Sequence, residues 1–170
     1  RFFQGQEGLL AIYHDQLKTS QPVCYVRSRD DVRFFDLEKL HDIRNTFAKR
    51  GIERRTIIQD ETPRANIPEN ERTPIDASDK AMLLTRTWID PQDYEEPVEW
   101  AVYGNKLSII SYGQEAIGMV IESPQIAKSF RRLFTLLEEG IRRRPGYSLR
   151  PLRTTHTGMP DKLRSKTEAK

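Results

Sequence analysis

The chain has 170 residues, of which 36% are hydrophobic and 31% charged, with a formal net charge of +3. That length suits one domain with its own core, and the strongly apolar, periodic segments exclude a fully disordered chain. No apolar run approaches the roughly 18 residues of a membrane-spanning helix, and the opening RFFQGQEG has no secretory signal pattern.

The charge is unevenly spread. Residues 141–170 hold nine Lys/Arg and two Asp/Glu, while residues 1–140 hold 19 and 23. The body is therefore mildly acidic, and the isoelectric point near 9.0 belongs to the tail. An opening without Met is expected of a processed chain or a fragment. Cys24 has no second cysteine to pair with, so a reducing, cytoplasmic setting is expected, and its apolar run PVCYV makes it a buried small hydrophobe. The histidines His14, His41 and His156 lack second ligands at metal-binding spacing. No cofactor is expected, and no nucleotide-binding or nucleophile-elbow motif occurs.

In chain order, residues 1–3 read as the end of a strand. Residues 5–17 read as a helix with Leu9, Leu10, Ile12, Tyr13 and Leu17 on one stripe and His14 on the polar side. The apolar run 22–27 predicts a buried strand. SRDD after it is a polar loop at that strand's carboxyl end, where open α/β sheets place ligands. Arg27, Arg29, Asp30 and Asp31 are candidates on that ground, against the plainer reading of a solvated, helix-capping loop. Residues 36–50 predict a helix with Asp36 as N-cap, the stripe Leu37, Leu40, Ile43 and Phe47, and Gly51 just past its end. Residues 52–59 predict a strand. This alternation predicts parallel strands joined by crossovers.

Residues 60–78 contain Pro63, Pro68 and Pro74 and predict a long surface loop. A turn of helix over 79–84 and a strand over 83–89, with Arg86 inside it, come next. Strands over 98–103, 107–111 and 116–121 predict an antiparallel meander, with Gly104–Asn105 as a tight turn and a second turn over 112–114. Ser123 and Pro124 start the longest helix. Ile126, Ala127, Phe130, Leu133, Phe134, Leu137 and Ile141 form one apolar face, with Arg131, Arg132, Glu138 and Glu139 opposite. That helix packs on the sheet and is a candidate share of a dimer interface. The expected layout is an α/β domain over 1–150 and a basic, disordered tail over 151–170.

Two stretches carry a family resemblance. RFFQGQEGLLAIYHDQL resembles the opening of the effector domain in TrmB-like transcriptional regulators. VEWAVYGNKLSIISYGQEAIGMVIESPQIAKSFRRLFTLLEEG resembles its closing segment. The resemblance implies a phospholipase D-like sandwich and a homodimer. It also implies a small anionic or sugar-type effector, and DNA binding through a winged helix-turn-helix that this chain does not contain.

Enzymes of that fold carry HxKxxxxD followed by a Gly-Ser pair, with the His as nucleophile. Here Gly104, Lys106 and Ser111 stand at the His, Lys and Asp positions, and Gly118 and Met119 at the pair. Without a nucleophile no covalent phosphoryl transfer is expected. The surviving Lys106 makes an anion site the expectation, with Arg86, Ser111, Tyr103 and Arg29 as further candidates. The alternatives are a phosphodiesterase or nuclease with another nucleophile, and a ligand-free dimerisation module.

Overall fold

A computed structural model of the chain describes residues 1–59, 77–114, 116–145 and 147. Most of the predicted 60–78 loop and the whole 151–170 tail lie outside those residues. Among the described residues twelve elements follow one another: β1 (Phe2–Gln4), α1 (Gly5–Gln16), β2 (Val23–Val26), α2 (Asp31–Phe34), α3 (Leu37–Lys49), β3 (Arg54–Gln59), α4 (Ala77–Ala81), β4 (Leu84–Ile89), β5 (Val98–Tyr103), β6 (Lys106–Ser111), β7 (Ile117–Glu122) and α5 (Pro124–Arg142).

The strands form one seven-stranded mixed sheet in the order β1-β7-β6-β5-β2-β3-β4. β2, β3 and β4 are parallel neighbours. The meander β5-β6-β7 joins β2 antiparallel through β5. β1 departs from the expected parallel start: it closes the far edge, antiparallel to β7. Three residues with one neighbouring strand find partners wherever the chain delivers them, so their alternation with α1 carries no pairing information.

Local chemistry explains the boundaries. The Asp36 carboxylate accepts from the Glu38 amide at 2.9 Å, capping α3, and Gly51 takes φ +67° after its end. Ser123 caps α5 by accepting from the Ile126 amide at 3.4 Å, with Pro124 in the first turn. Between β5 and β6 only Gly104 takes a positive φ, +49°, as a type II′ turn requires of its first central residue.

Alternation along the strands divides the core. Val23, Tyr25, Ala101, Tyr103 and Ile110 pack with Leu9, Ile12 and Tyr13 of α1 and with Leu40, Ile43 and Phe47 of α3. Cys24, Val26, Ile57 and Val102 pack on the other side with Ala127, Phe134 and Ile141 of α5. The Trp100 ring meets Phe130 and Phe134 edge-on, at 5.4 and 6.3 Å.

The single apolar face expected of α5 splits in two. Ala127, Phe134 and Ile141 are buried, whereas Leu133 and Leu137 are 53% and 41% exposed, with Ile126 and Leu136 exposed beside them. Glu138, expected on the solvent side, is buried. Tyr112, expected in a turn, is also buried, packed edge-on against Phe35 and tilted against Phe34.

Gly118 of β7 lies directly under α1. A Cβ there would come within 2.5 Å of Ile12 Cδ1 and 2.8 Å of Leu9 Cδ2, and both side chains are wholly buried. Gly118→Val is therefore expected to overpack this contact and lower stability by about 2–3 kcal/mol in urea unfolding. Unchanged stability would show that α1 rides more loosely than these distances imply.

Candidate functional site

Tyr103 and Lys106 face each other across the Gly104 turn. Both converge on Asp15, near the end of α1. Its Oδ2 accepts from Tyr103 Oη at 3.0 Å and Lys106 Nζ at 2.9 Å, and the Arg1 guanidinium lies 3.2 Å away. Asp15 is only 5% exposed. Burial opposes its charge, but the hydrogen bonds from Lys106 and Tyr103 outweigh that and hold its carboxyl below the ordinary carboxylate range. Burial and the adjacent carboxylate push the Tyr103 phenol up.

The other sequence candidates lie apart from this pair. Ser111 ends β6, opposite Lys106 at its start. Arg29 follows β2 and donates through Nε to the Gln59 carbonyl at 3.0 Å. Arg86 sits on the edge strand β4, 2.9 Å from Asp79 and over the Trp88 ring.

The carboxyl end of β2 is not a solvated loop. Ser28 and Asp31 are buried, and Asp31 begins the short helix α2. Arg27 binds both Asp31 and Glu99, the latter at 3.2 Å from Nε. Tyr13 Oη donates to Glu99 Oε1 at 2.9 Å and lies 2.5 Å from Tyr112 Oη. Arg44 reaches Asp31 at 3.3 Å. Burial pushes the Glu99 carboxyl up against the pull of Arg27. Burial and the Arg27 charge push Arg44 down to about 10. This network ties α1, β2, α2, α3 and β5 together, and its charges are matched within it. It is a structural strut rather than an open site.

At the opposite end, where β3 and β4 begin, a cavity of about 460 Å³ opens between the sheet edge, α4 and the last turns of α5. Among the described residues, five cationic ones line it (Arg54, Arg55, Lys80, Arg86 and Arg142) with three acidic ones, Glu53, Asp79 and Glu138. Glu138 binds Arg55 through one oxygen; the other accepts from Arg142 at 3.1 Å and from the Thr87 hydroxyl at 3.2 Å. Arg54, only 4% exposed, donates to the Met82 carbonyl at 2.8 Å and stacks over Phe47. Its Nε has no hydrogen-bond partner among the described residues. Burial and the charges of Arg27, Arg44 and Arg86 push its pKa down to about 10.

Of the sequence candidates, only Arg86 reaches this cavity. Sequence reasoning does not single out Arg54, Arg55, Arg142 or Glu138 as site residues. The one signal it offers is the Arg-Arg pair opening a strand, which must send one guanidinium to each face of the sheet.

No family model and no curated protein matches the sequence. Among solved structures the chain is similar to TrmBL2, an archaeal chromatin protein whose structure shows a novel mode of DNA binding. The TM-score is 0.54 at 12% identity, over 82% of this chain and 52% of that one. The chain thus spans about half the length of that protein. At this identity the likeness speaks for the fold, a mixed α/β sheet closed by a long helix.

The lowered pKa of Asp15 has a defined consequence for acid stability. Its contribution is full above the unfolded-state pKa of about 3.9 and is lost as pH falls through the lower folded value. Asp15→Asn is expected to cost about 2 kcal/mol near neutral pH and distinctly less below about pH 3. Urea unfolding at the two pH values reads the difference. An equal cost at both would remove the charge of Asp15 from the account.

Proposed function

We propose that the chain is a non-catalytic, effector-sensing and dimerising domain of a TrmB-like transcriptional regulator, with a phospholipase D-like fold and a cytoplasmic setting. The likeness to TrmBL2 over most of the chain is the observation that carries this reading. TrmBL2 is a DNA-binding chromatin protein, and a regulator built on the same sheet accounts for a domain whose helices α1, α3 and α5 bury their apolar stripes in its own core. DNA contact then belongs to a helix-turn-helix outside this sequence. Among the described residues no helix is long and apolar enough to cross a membrane.

The second stripe of α5 supports the dimer. Ile126, Phe130, Leu133, Leu137 and Gly140 recur at alternating spacings of four and three, the pattern of a helix–helix seam. Gly140 is open: a Cβ placed there would have nothing within 4 Å. In an antiparallel two-fold pairing centred between Leu133 and Leu137, these two residues of each copy would face each other, with the part of Phe130 not packed on Trp100 near Gly140 of the other copy and Arg132 near Glu139. Such a patch is self-complementary, as a two-fold interface requires.

Sedimentation at micromolar concentration is expected to show a dimer, and Leu133→Asp is expected to give a folded monomer, because Leu133 is exposed in the single chain. A wild-type monomer would contradict the dimer. The wild-type chain is also expected to leave a generic phosphodiester intact. Turnover that co-purifies with it and is abolished in a point variant would favour the phosphodiesterase reading.

A further inference from the structure

We propose that the cavity at the amino ends of β3 and β4 binds a small phosphate-bearing metabolite, with Arg54 and Lys80 as its principal cationic contacts. The inference deepens the regulatory reading, on which it rests for its meaning as an effector site.

The starting point is a buried charge without a counter-ion. Arg55 shares Glu138 with Arg142, and Arg86 has Asp79. Arg54 has only a carbonyl oxygen and an aromatic face, with no carboxylate partner among the described residues. A guanidinium stripped of water and left unpaired is costly, and the like charges of Arg27, Arg44 and Arg86 add to the cost. An anion entering the cavity would relieve it. Among the described lining residues the cations outnumber the carboxylates by two, which matches the charge of a phosphate monoester.

Shape agrees with charge. A volume of about 460 Å³ suits a small metabolite rather than a polymer strand. The walls combine cations with Leu83, Leu84 and Thr85, so there is apolar and hydroxyl surface for the rest of the molecule. Leu83 takes φ +51°, a conformation that an ordinary side chain adopts rarely. Its carbonyl accepts from the Arg54 amide at 2.8 Å, while the Arg54 guanidinium holds the neighbouring Met82 carbonyl. Arg54 thus clamps the strained link between α4 and β4 at the rim, and strain held in place by such contacts is frequent at ligand sites. Arginine's planar fork also suits the two-point geometry of phosphate oxygens.

The test titrates the full 170-residue chain with inorganic phosphate, glucose 6-phosphate and glucose, followed by calorimetry and thermal shift. Glucose 6-phosphate is expected to bind with a dissociation constant below about 1 mM, and glucose is expected not to bind. Arg54→Met is expected to weaken binding at least about ten-fold, a loss of about 1.4 kcal/mol. Lys80→Glu replaces an exposed residue, so it leaves folding intact and should weaken binding by at least as much. Binding of inorganic phosphate alone, reduced in both variants, supports the anion subsite. The proposal is overturned if no phosphate-bearing probe binds more tightly than about 1 mM, if glucose binds equally well, or if Lys80→Glu binds like the wild type. Sedimentation of the same samples separates the two ideas. A dimer without phosphate binding refutes this site alone, and a monomer that binds phosphate refutes the dimeric regulator alone.

Discussion

A guanidinium can leave water only where oxygen atoms or an aromatic face replace it, and β3 opens with two of them in succession. Because neighbouring strand residues point to opposite faces, Arg54 enters the α3 side and Arg55 the α5 side. On the α5 side the problem is solved in full. Arg55 stacks over Phe134 and binds Glu138, whose other oxygen takes Arg142 and Thr87. Glu138 is buried while the Arg55 side chain stays 37% exposed, so the carboxylate is the group that cannot be left without its cations. The pair therefore fixes the rotation of α5 about its axis, and Ala127, Phe134 and Ile141 follow onto the sheet. The exposed stripe through Leu133 and Leu137 is a consequence of that rotation, standing about a quarter turn from the buried one.

On the α3 side the same problem is solved in two ways. Arg27 and Arg44 share two buried carboxylates, Asp31 and Glu99, and the phenol of Tyr13 completes the set. Arg54, a strand away, receives only a carbonyl and the Phe47 ring. The contrast separates scaffold from site. A matched network makes the carboxyl end of β2 rigid and closed, although open α/β sheets commonly bind ligands there. The unmatched guanidinium lies at the other end, where the parallel strands begin and a cavity is present.

Much of the fold is legible in the sequence because it rests on local chemistry. The caps at Asp36 and Ser123, the glycines at 51 and 104 and the alternating strands each bear their cause within a few residues. What escapes depends on distant partners. Glu138 lies four residues after Phe134 and three before Ile141, inside the buried stripe, yet its charge reads as solvent-facing until Arg55 is placed beneath it. Asp31 misleads in the same way, since Arg27 and Arg44 decide its burial. The seven apolar residues of α5 span about 120° of arc, which reads as one core-facing stripe, so periodicity alone does not separate the two surfaces. The candidate site is the least legible part. Of its cationic lining only Arg86 stands out in sequence, because an uncompensated charge is a property of the assembled neighbourhood.

The spacing that singles out Lys106 has a structural origin at each of its positions. Gly104 makes the turn, Ser111 pairs at the end of the β6 ladder, and Gly118 gives α1 room to approach β7. Lys106 itself is committed to Asp15. Drawing its ammonium onto a phosphate would leave that buried carboxylate to Tyr103 and to the more exposed Arg1 and Lys18, at a cost of order ~1–3 kcal/mol. Arg54 requires no such exchange: an anion brought to it satisfies a charge that the fold leaves uncompensated. Between two cations at the same end of the strands, Lys106 on β6 and Arg54 on β3, the free-energy balance therefore favours Arg54 as the point of anion capture and Lys106 as a strut between α1 and the meander.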